Sequence, residues 1–382
     1  MNIKQTLSEL VAINSVSSIS NAPIIDYLDD RCAAMGFVTR RFSYEDENGL
    51  DKINLIAVIG TDFSESTEVE LAVVGHTDTV PFDPNWKEAT TLTEQDGKLF
   101  GRGACDTKAF IAATLNALEG IDLQKLKRPL ALVFMADEEI GLRGAKYLAD
   151  LGALQPRYSI VGEPTSLQPI RGGKGYSLAE VVVRGREAHS AYPALGASAV
   201  FRAARLIARL EHLAEELRGD EHDDFDPPHT TLNVGLIRGG SAKNVIAGEC
   251  RFTLEWRPIP SQPSDYVLKV VNQAIDEEQK TDPDFDAEVK MERLDSGFDT
   301  SSDSPIVSLM ERLTQKHAGT VAFGTEAAQM TALGSEAVVI GPGNIRNAHR
   351  TGEFVPIDEL ERCAEIIQQA VEELCLKNRL GW

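Results

Sequence analysis

Seven apolar residues in a row, Leu130 to Ala136, run straight into three acids, Asp137, Glu138 and Glu139. A short apolar run bounded by proline and by charge reads as a fully buried strand of a parallel sheet. The acids then stand at its carboxyl end, where open α/β sheets place their ligands. Acids at this place also suit the first turn of a helix. The plan recurs: ELAVVGHTDTVP (70–81) is a buried strand that delivers His76 and Asp78, and YSIVGEPTS (158–166) is one that delivers Glu163. NLIAVIG (54–60) and EAVVIGPG (336–343) read as further strands, with a polar loop at 62–70 and a loop or hairpin at 85–97. KLFGRGACDTKAF (98–110) turns through small residues into a helix over 107–119. Apolar spacing at helical period predicts helices over 3–14, 22–36, 141–152, 304–317 and 358–377.

After GGKG (172–175) the pattern changes. An alternating strand, YSLAEVVVRG, is followed by a long helix (196–217), two strands (TTLNVGLIRGG and VIAGECRFTLEWRP), a helix (264–278) and a strand at 287–294. The order βαββαβ is a ferredoxin-like unit that folds as a module. The expected architecture is therefore α/β: a mixed, mostly parallel sheet in a larger domain made of residues 1–174 and 296–382, interrupted by an inserted α+β module at 175–295.

The 382-residue chain is 42% hydrophobic, enough for sizeable cores. Its 38 basic and 59 acidic residues give a net charge of −21, which argues against a nucleic-acid surface or an anionic membrane. No apolar run reaches the ~18 residues of a membrane span, and the first residues suggest an amphipathic helix rather than a signal peptide. Five cysteines, Cys32, Cys105, Cys250, Cys363 and Cys375, lack CxxC or CxxH spacing and read as reduced, buried and cytoplasmic.

His76, Asp106, Glu139, Glu163 and His349 each follow an apolar strand or a Gly-rich turn. Two imidazoles and three carboxylates suit zinc or a similar divalent ion. Five ligands are too many for one tetrahedral site but fit two ions ~3.5–4 Å apart that share a carboxylate. Glu138 is then left over beside a ligand, as suits a general base. Asp78, two residues past His76, is placed to accept the hydrogen of that histidine's second nitrogen.

GHTDTVP, GRGACDTK, ADEE, GEPT and AHRTGE together resemble the signatures of the dinuclear-zinc amidohydrolases, a family that includes carboxypeptidase G2, aminoacylase, succinyl-diaminopimelate desuccinylase and acetylornithine deacetylase. The resemblance spans essentially the whole chain, and in GHTDTVPFDPNW, GEPTSLQPIRGGKG, EWRPIP, GTEA and VVIGPGNIRNAH it is nearest to the acetylornithine-deacetylase branch. It implies a zinc-peptidase-like catalytic domain, a lid or dimerisation role for the insert, and two divalent cations, zinc first and cobalt second. Asp106 is implied as the bridge, with His76 and Glu163 on one ion and Glu139 and His349 on the other. Relatives typically carry Met-Lys-Gly after the bridging aspartate, where this chain has Thr107-Lys108-Ala109.

The implied reaction is hydrolysis of an N-acyl amide on an amino acid, with Glu138 moving the proton. The resemblance points to His189 as donor to the developing oxyanion and to Arg257 as holder of the substrate carboxylate, a task that suits a planar guanidinium. Read without it, His189 is an ordinary loop histidine and Arg257 an ordinary ion-paired arginine. Asn244 is implied to assist, and Gly324, Thr325 and Glu326 match the family's loop near the substrate side chain, with Glu326 able to meet an ornithine ammonium. Lys174 reads equally as a pocket residue or a solvated hinge lysine. Expected partners are a small N-acyl amino acid and a second copy of the chain, with no nucleic acid and no membrane. The competing readings are the same chemistry on acetylcitrulline, succinyl-diaminopimelate or a dipeptide, and a non-catalytic metal-bound scaffold.

Overall fold

A computed structural model describes residues 2–282 and 284–377. Two compact units form: the first takes in the chain up to Arg171, then Asp299–Gly319 and the chain from Thr325, and the second comprises Gly172–Phe298 and Thr320–Gly324. Residues 320–324, expected with the second part of the catalytic domain, thus group with the insert.

In the first unit the strands Val38–Glu45, Asp51–Ile59, Leu130–Met135, Thr67–His76, Leu154–Val161 and Glu336–Val339 lie side by side in that order. The last four are mutually parallel, and the first two are antiparallel additions. Both faces of the parallel part are covered, which explains why these strands are apolar without alternation. Leu71, Val73, Leu130, Leu132 and Ile160 are buried in one cluster with Leu7 and Leu10 of Ile3–Ala12, Leu115 and Leu118 of Lys108–Glu119, and Ile366 and Ile367 of Ile357–Val371. Each such side chain contributes roughly 1.5–3 kcal/mol on full burial. Val38–Glu45 eluded the hydrophobic pattern because it is an edge strand with five of its eight residues exposed and none buried, the setting in which charged side chains discourage further pairing.

The parallel register brings the strand ends into line. His76 pairs with Met135, Val74 with Val161, and Val161 with Val339, so four carboxyl ends finish close to one level. His76, the run Asp137–Glu139 and Glu163 emerge there.

The second unit has the βαββαβ order, with an antiparallel sheet arranged Thr231–Gly239, Glu249–Arg257, Ser177–Arg184, Asp286–Leu294. Helices Ala199–Glu216 and Tyr266–Thr281 bury Leu206, Leu210 and Val271 against Val181, Phe252, Leu254 and Trp256. The alternation that singled out Ser177–Arg184 and Glu249–Arg257 is the pleat of a sheet with different faces. Lys174 is fully buried, not solvated; its Nζ donates to the His229 carbonyl at 2.6 Å, and burial lowers its pKa to about 8.

Candidate metal centre and active site

Asp106 sits in the turn between Lys98–Phe100 and Lys108–Glu119, with an imidazole on each of its oxygens. His76 Nε2 lies 3.0 Å from Oδ1 and His349 Nε2 3.2 Å from Oδ2. His349 Nε2 is also 3.0 Å from Glu139 Oε2. Donor atoms of His76, Asp106 and Glu163 all fall within 4.8 Å of one another, as do those of Asp106, Glu139 and His349. One carboxylate shared by two such triads is the donor set that a pair of divalent cations takes.

What brings these groups together is short-range and specific. The Thr107 hydroxyl donates to the Gly162 carbonyl at 3.1 Å, which ties the Asp106 turn to the strand end carrying Glu163. A β-carbon at Gly162 would collide with the Phe110 ring, so only glycine lets the helix after Asp106 pack there. Lys108, buried behind the turn, donates from Nζ to the Ile13 carbonyl at 2.8 Å.

The role expected for Asp78 differs in its atoms. The His76 Nδ1 hydrogen goes to the main-chain carbonyl of Asp78 at 3.0 Å, while the nearer carboxylate oxygen is 3.6 Å away. That carboxylate accepts instead from the Ser17 hydroxyl at 2.8 Å, Glu138 N at 3.0 Å and Glu139 N at 3.2 Å. Asp78 therefore fixes the histidine tautomer through its backbone and the Glu138–Glu139 turn through its side chain. Asp137, just upstream, holds a left-handed backbone (φ 56°), a conformation that costs a non-glycine residue ~1 kcal/mol. Its buried carboxylate is gripped by Lys52 Nζ and the Tyr44 hydroxyl, both at 2.8 Å.

Glu353 plays the same part for Asp106 and was not singled out by sequence. Fully buried, it accepts from Cys105 N at 2.8 Å and Asp106 N at 3.0 Å through Oε1, and from Arg102 through Oε2. The hint in the sequence was an acid four residues past His349 in a glycine-bearing loop, AHRTGE. Glu353→Gln is expected to weaken divalent-ion binding about 10–100-fold, the range for lost outer partners of metal ligands; competition against a chromophoric chelator measures it, and an unchanged affinity would refute the role.

The electrostatics are those of a site short of positive charge. Burial drives the Glu138 and Glu163 carboxyls well above their usual range, and neighbouring acids add to it. Glu326 is pushed up to about 7, also by burial first. Burial raises Glu139 as well, against the opposing pull of His349. For Asp106 the hydrogen bonds from His349 and His76 outweigh burial and hold the carboxyl below its usual range. His349 rises to about 10 through its hydrogen bonds to Asp106 and then Glu139, and His76 is raised although burial opposes it. Protonated imidazoles here occupy the role of cations, so the residues present fit a metal pair.

Ion binding must therefore expel protons. Apparent affinity for zinc or cobalt is expected to fall about tenfold for each unit by which pH is lowered, per proton released. Titration calorimetry in buffers of different ionisation enthalpy checks this, and a buffer-independent heat would contradict it. In the metal-free chain His349, raised above its unfolded value of about 6.5, contributes stability fully below that pH and loses it as pH rises towards about 10.

The remaining expected residues divide between the units. Thr325 and Glu326 belong to the first, and His189, Asn244, Arg257 and Gly324 to the second. His189 and Asn244 are exposed and adjacent: His189 bridges Val245, and Ser190 N donates to the Asn244 carbonyl at 3.0 Å. His189 Nδ1 accepts from Ala191 N at 3.1 Å, which leaves the proton of a neutral ring on Nε2. Arg257 stacks 4.5 Å from the Tyr176 ring, donates from Nε to Glu255 at 2.9 Å and from Nη1 to the Ala322 carbonyl at 3.2 Å. All five cysteines are buried and free. Among the described residues no helix is long and apolar enough to cross a membrane.

Fold and site together define a metallohydrolase, and comparison with known proteins agrees. Residues 72–373 match the model of peptidase family M20/M25/M40. The chain belongs to that family. It is 50% identical over 374 residues to an acetylornithine deacetylase of Myxococcus xanthus, covering 98% of this chain and 97% of that one. An acetylornithine deacetylase of Shigella sonnei is 34% identical, with 96% of each chain covered. Among solved structures, a Staphylococcus aureus tripeptidase superposes with a TM-score of 0.75 at 24% identity, covering 97% of each chain. A Bacillus subtilis dinuclear metal binding peptidase of the M20 family superposes at 0.63 with 13% identity, over 97% of each chain. These two likenesses bear on the fold alone.

Proposed function

We propose that the chain removes the acetyl group from N2-acetyl-L-ornithine, giving L-ornithine and acetate, as the name shared by its relatives suggests. The observation that supports this most is the half-buried carboxylate of Glu138 at the edge of the Asp106 constellation, its backbone clamped by Asp78. His76, Asp106 and Glu163 would hold one divalent cation and Asp106, Glu139 and His349 the other, with zinc first and cobalt second. When bound, the pair supplies Lewis acidity to the amide carbonyl and lowers the pKa of water.

The protein's own groups do the rest. Glu138 takes a proton from the attacking water and returns it to the leaving nitrogen; a pKa raised by burial suits both halves of that transfer. His189, with its proton on Nε2, has the tautomer an oxyanion donor needs. Arg257 would hold the substrate carboxylate, helped by Asn244, while Gly324, Thr325 and Glu326 would line the remainder of the substrate.

The reading extends to a cytoplasmic enzyme of arginine biosynthesis acting as a homodimer through the inserted unit. Supporting the dimer, Thr231–Gly239 is a sheet edge, and Phe201, Leu195, Tyr192, Leu236 and Ile237 on the same unit are 55–73% exposed.

The test is substrate profiling of the metal-loaded protein on acetylornithine, acetylcitrulline, succinyl-diaminopimelate and a dipeptide. Acetylornithine is expected to give the highest kcat/KM by at least about tenfold, the worth of one added charged contact. A preference for any of the others overturns the assignment of substrate.

A further inference from the structure

Glu326 is fully buried, yet neither of its carboxylate oxygens finds a hydrogen-bond partner in another of the described residues. A carboxylate in that state is costly unless something absent from the free chain completes it. Its surroundings say where that something sits. Carboxylate oxygens of Glu326, Glu138 and Glu163 all lie within 4.8 Å of one another, in a group that contains no imidazole. Glu163 also belongs to the triad with His76 and Asp106, and Glu138 to a group with His76 and Glu139. Glu326 shares neither of those groups, and its own is made of the three acids.

Two acceptor oxygens no more than 4.8 Å apart can both lie about 2.9 Å from one nitrogen placed between them. In amide hydrolysis one nitrogen must come within hydrogen-bond distance of Glu138, namely the leaving one, because Glu138 protonates it. We propose that Glu326 accepts the N–H of the scissile amide and then holds the amine as it departs. This rests on the amidohydrolase reading of the site and adds to it a residue that contacts the reacting atoms.

The balance of the step is that of ordinary hydrolysis. The water oxygen bonds to the acyl carbon and its proton passes to Glu138. The C–N bond then breaks with its electron pair going to nitrogen, and nitrogen takes the proton from Glu138. Nitrogen gains positive character and donor hydrogens as this happens, so the contact with the Glu326 carboxylate strengthens along the reaction. The ornithine side-chain ammonium is separated from that nitrogen by four carbons, so a carboxylate that shares a nitrogen with Glu138 reads the amide and not the side chain.

The test pairs an amide with its ester. The acetyl amide of the amino acid that the wild-type chain turns over fastest is compared with the acetyl ester of the matching 2-hydroxy acid, which has no N–H and a leaving oxygen that gains no positive charge. Because the pair is built on whatever substrate the wild type prefers, failure of the acetylornithine assignment leaves the comparison intact. Glu326→Ala and Glu326→Gln are expected to lower kcat/KM for the amide about 100-fold, as for removal of one preorganised partner of the transition state, while the ester changes by less than about threefold. Metal content should match the wild type, and acetylnorvaline and acetylornithine should lose by the same factor. An equal fall for amide and ester assigns Glu326 to structure. Loss of an ion makes it a ligand, and a loss confined to acetylornithine makes it a reader of the side chain. Each of those three results overturns the proposal.

Discussion

Glu138→Gln is expected to reduce kcat by about 10³–10⁴, the upper part of the range for a positioned acid–base group, with KM and metal content close to wild type. Glutamine keeps the shape of the side chain and the backbone hydrogen bond from residue 138 to Asp78, which does not depend on the side chain. What it loses is the ability to take a proton and give it back. His76, Asp106, Glu139, Glu163 and His349 stay in place to hold ions, so elemental analysis of the variant should be unchanged. An unaltered kcat, or loss of metal together with activity, would remove Glu138 from the role of base.

The second large effect concerns Asp106. Asp106→Asn is expected to weaken binding of both ions by more than about 100-fold, beyond what loss of an outer partner costs, and to abolish measurable turnover. The physical reason is that its two oxygens serve different imidazoles, at 3.0 Å and 3.2 Å. An amide presents one oxygen and no charge, so it can complete one triad at best. Near-ultraviolet circular dichroism of the metal-free variant should match that of the metal-free wild type, since Glu353 holds the turn through main-chain groups. A variant that retains one tightly bound ion would show that Asp106 belongs to a single site.

How much of this could be read from the sequence depended on the length scale of each signal. The parallel strands were legible because burial on both faces leaves uninterrupted apolar runs, and the acids after Met135 and Val161 marked their ends. His349 was different. It follows its strand by ten residues, through a loop without periodicity, and its pairing with Glu139 and Asp106 came only from the resemblance of AHRTGE to a family signature. Spacing pointed to Asp78 as the residue that receives the His76 hydrogen, but it identifies a residue and not which of its oxygens turns inward. Lys52, Tyr44, Arg102 and Glu353 were missed for a simpler reason: an inward-facing charge or hydroxyl whose partner lies 85, 93 or 251 positions away has no local pattern. The edge strand Val38–Glu45 escaped because pairing, not burial, makes it a strand.

The clamp from Glu353 to Cys105 and Asp106 joins points 248 and 247 residues apart, with a whole second unit encoded between them. During synthesis the Asp106 turn leaves the ribosome long before its counterpart does. A nascent chain halted short of residue 349 would lack both one imidazole of the second triad and the clamp behind Asp106, so the complete donor set exists only once nearly the whole chain has been made.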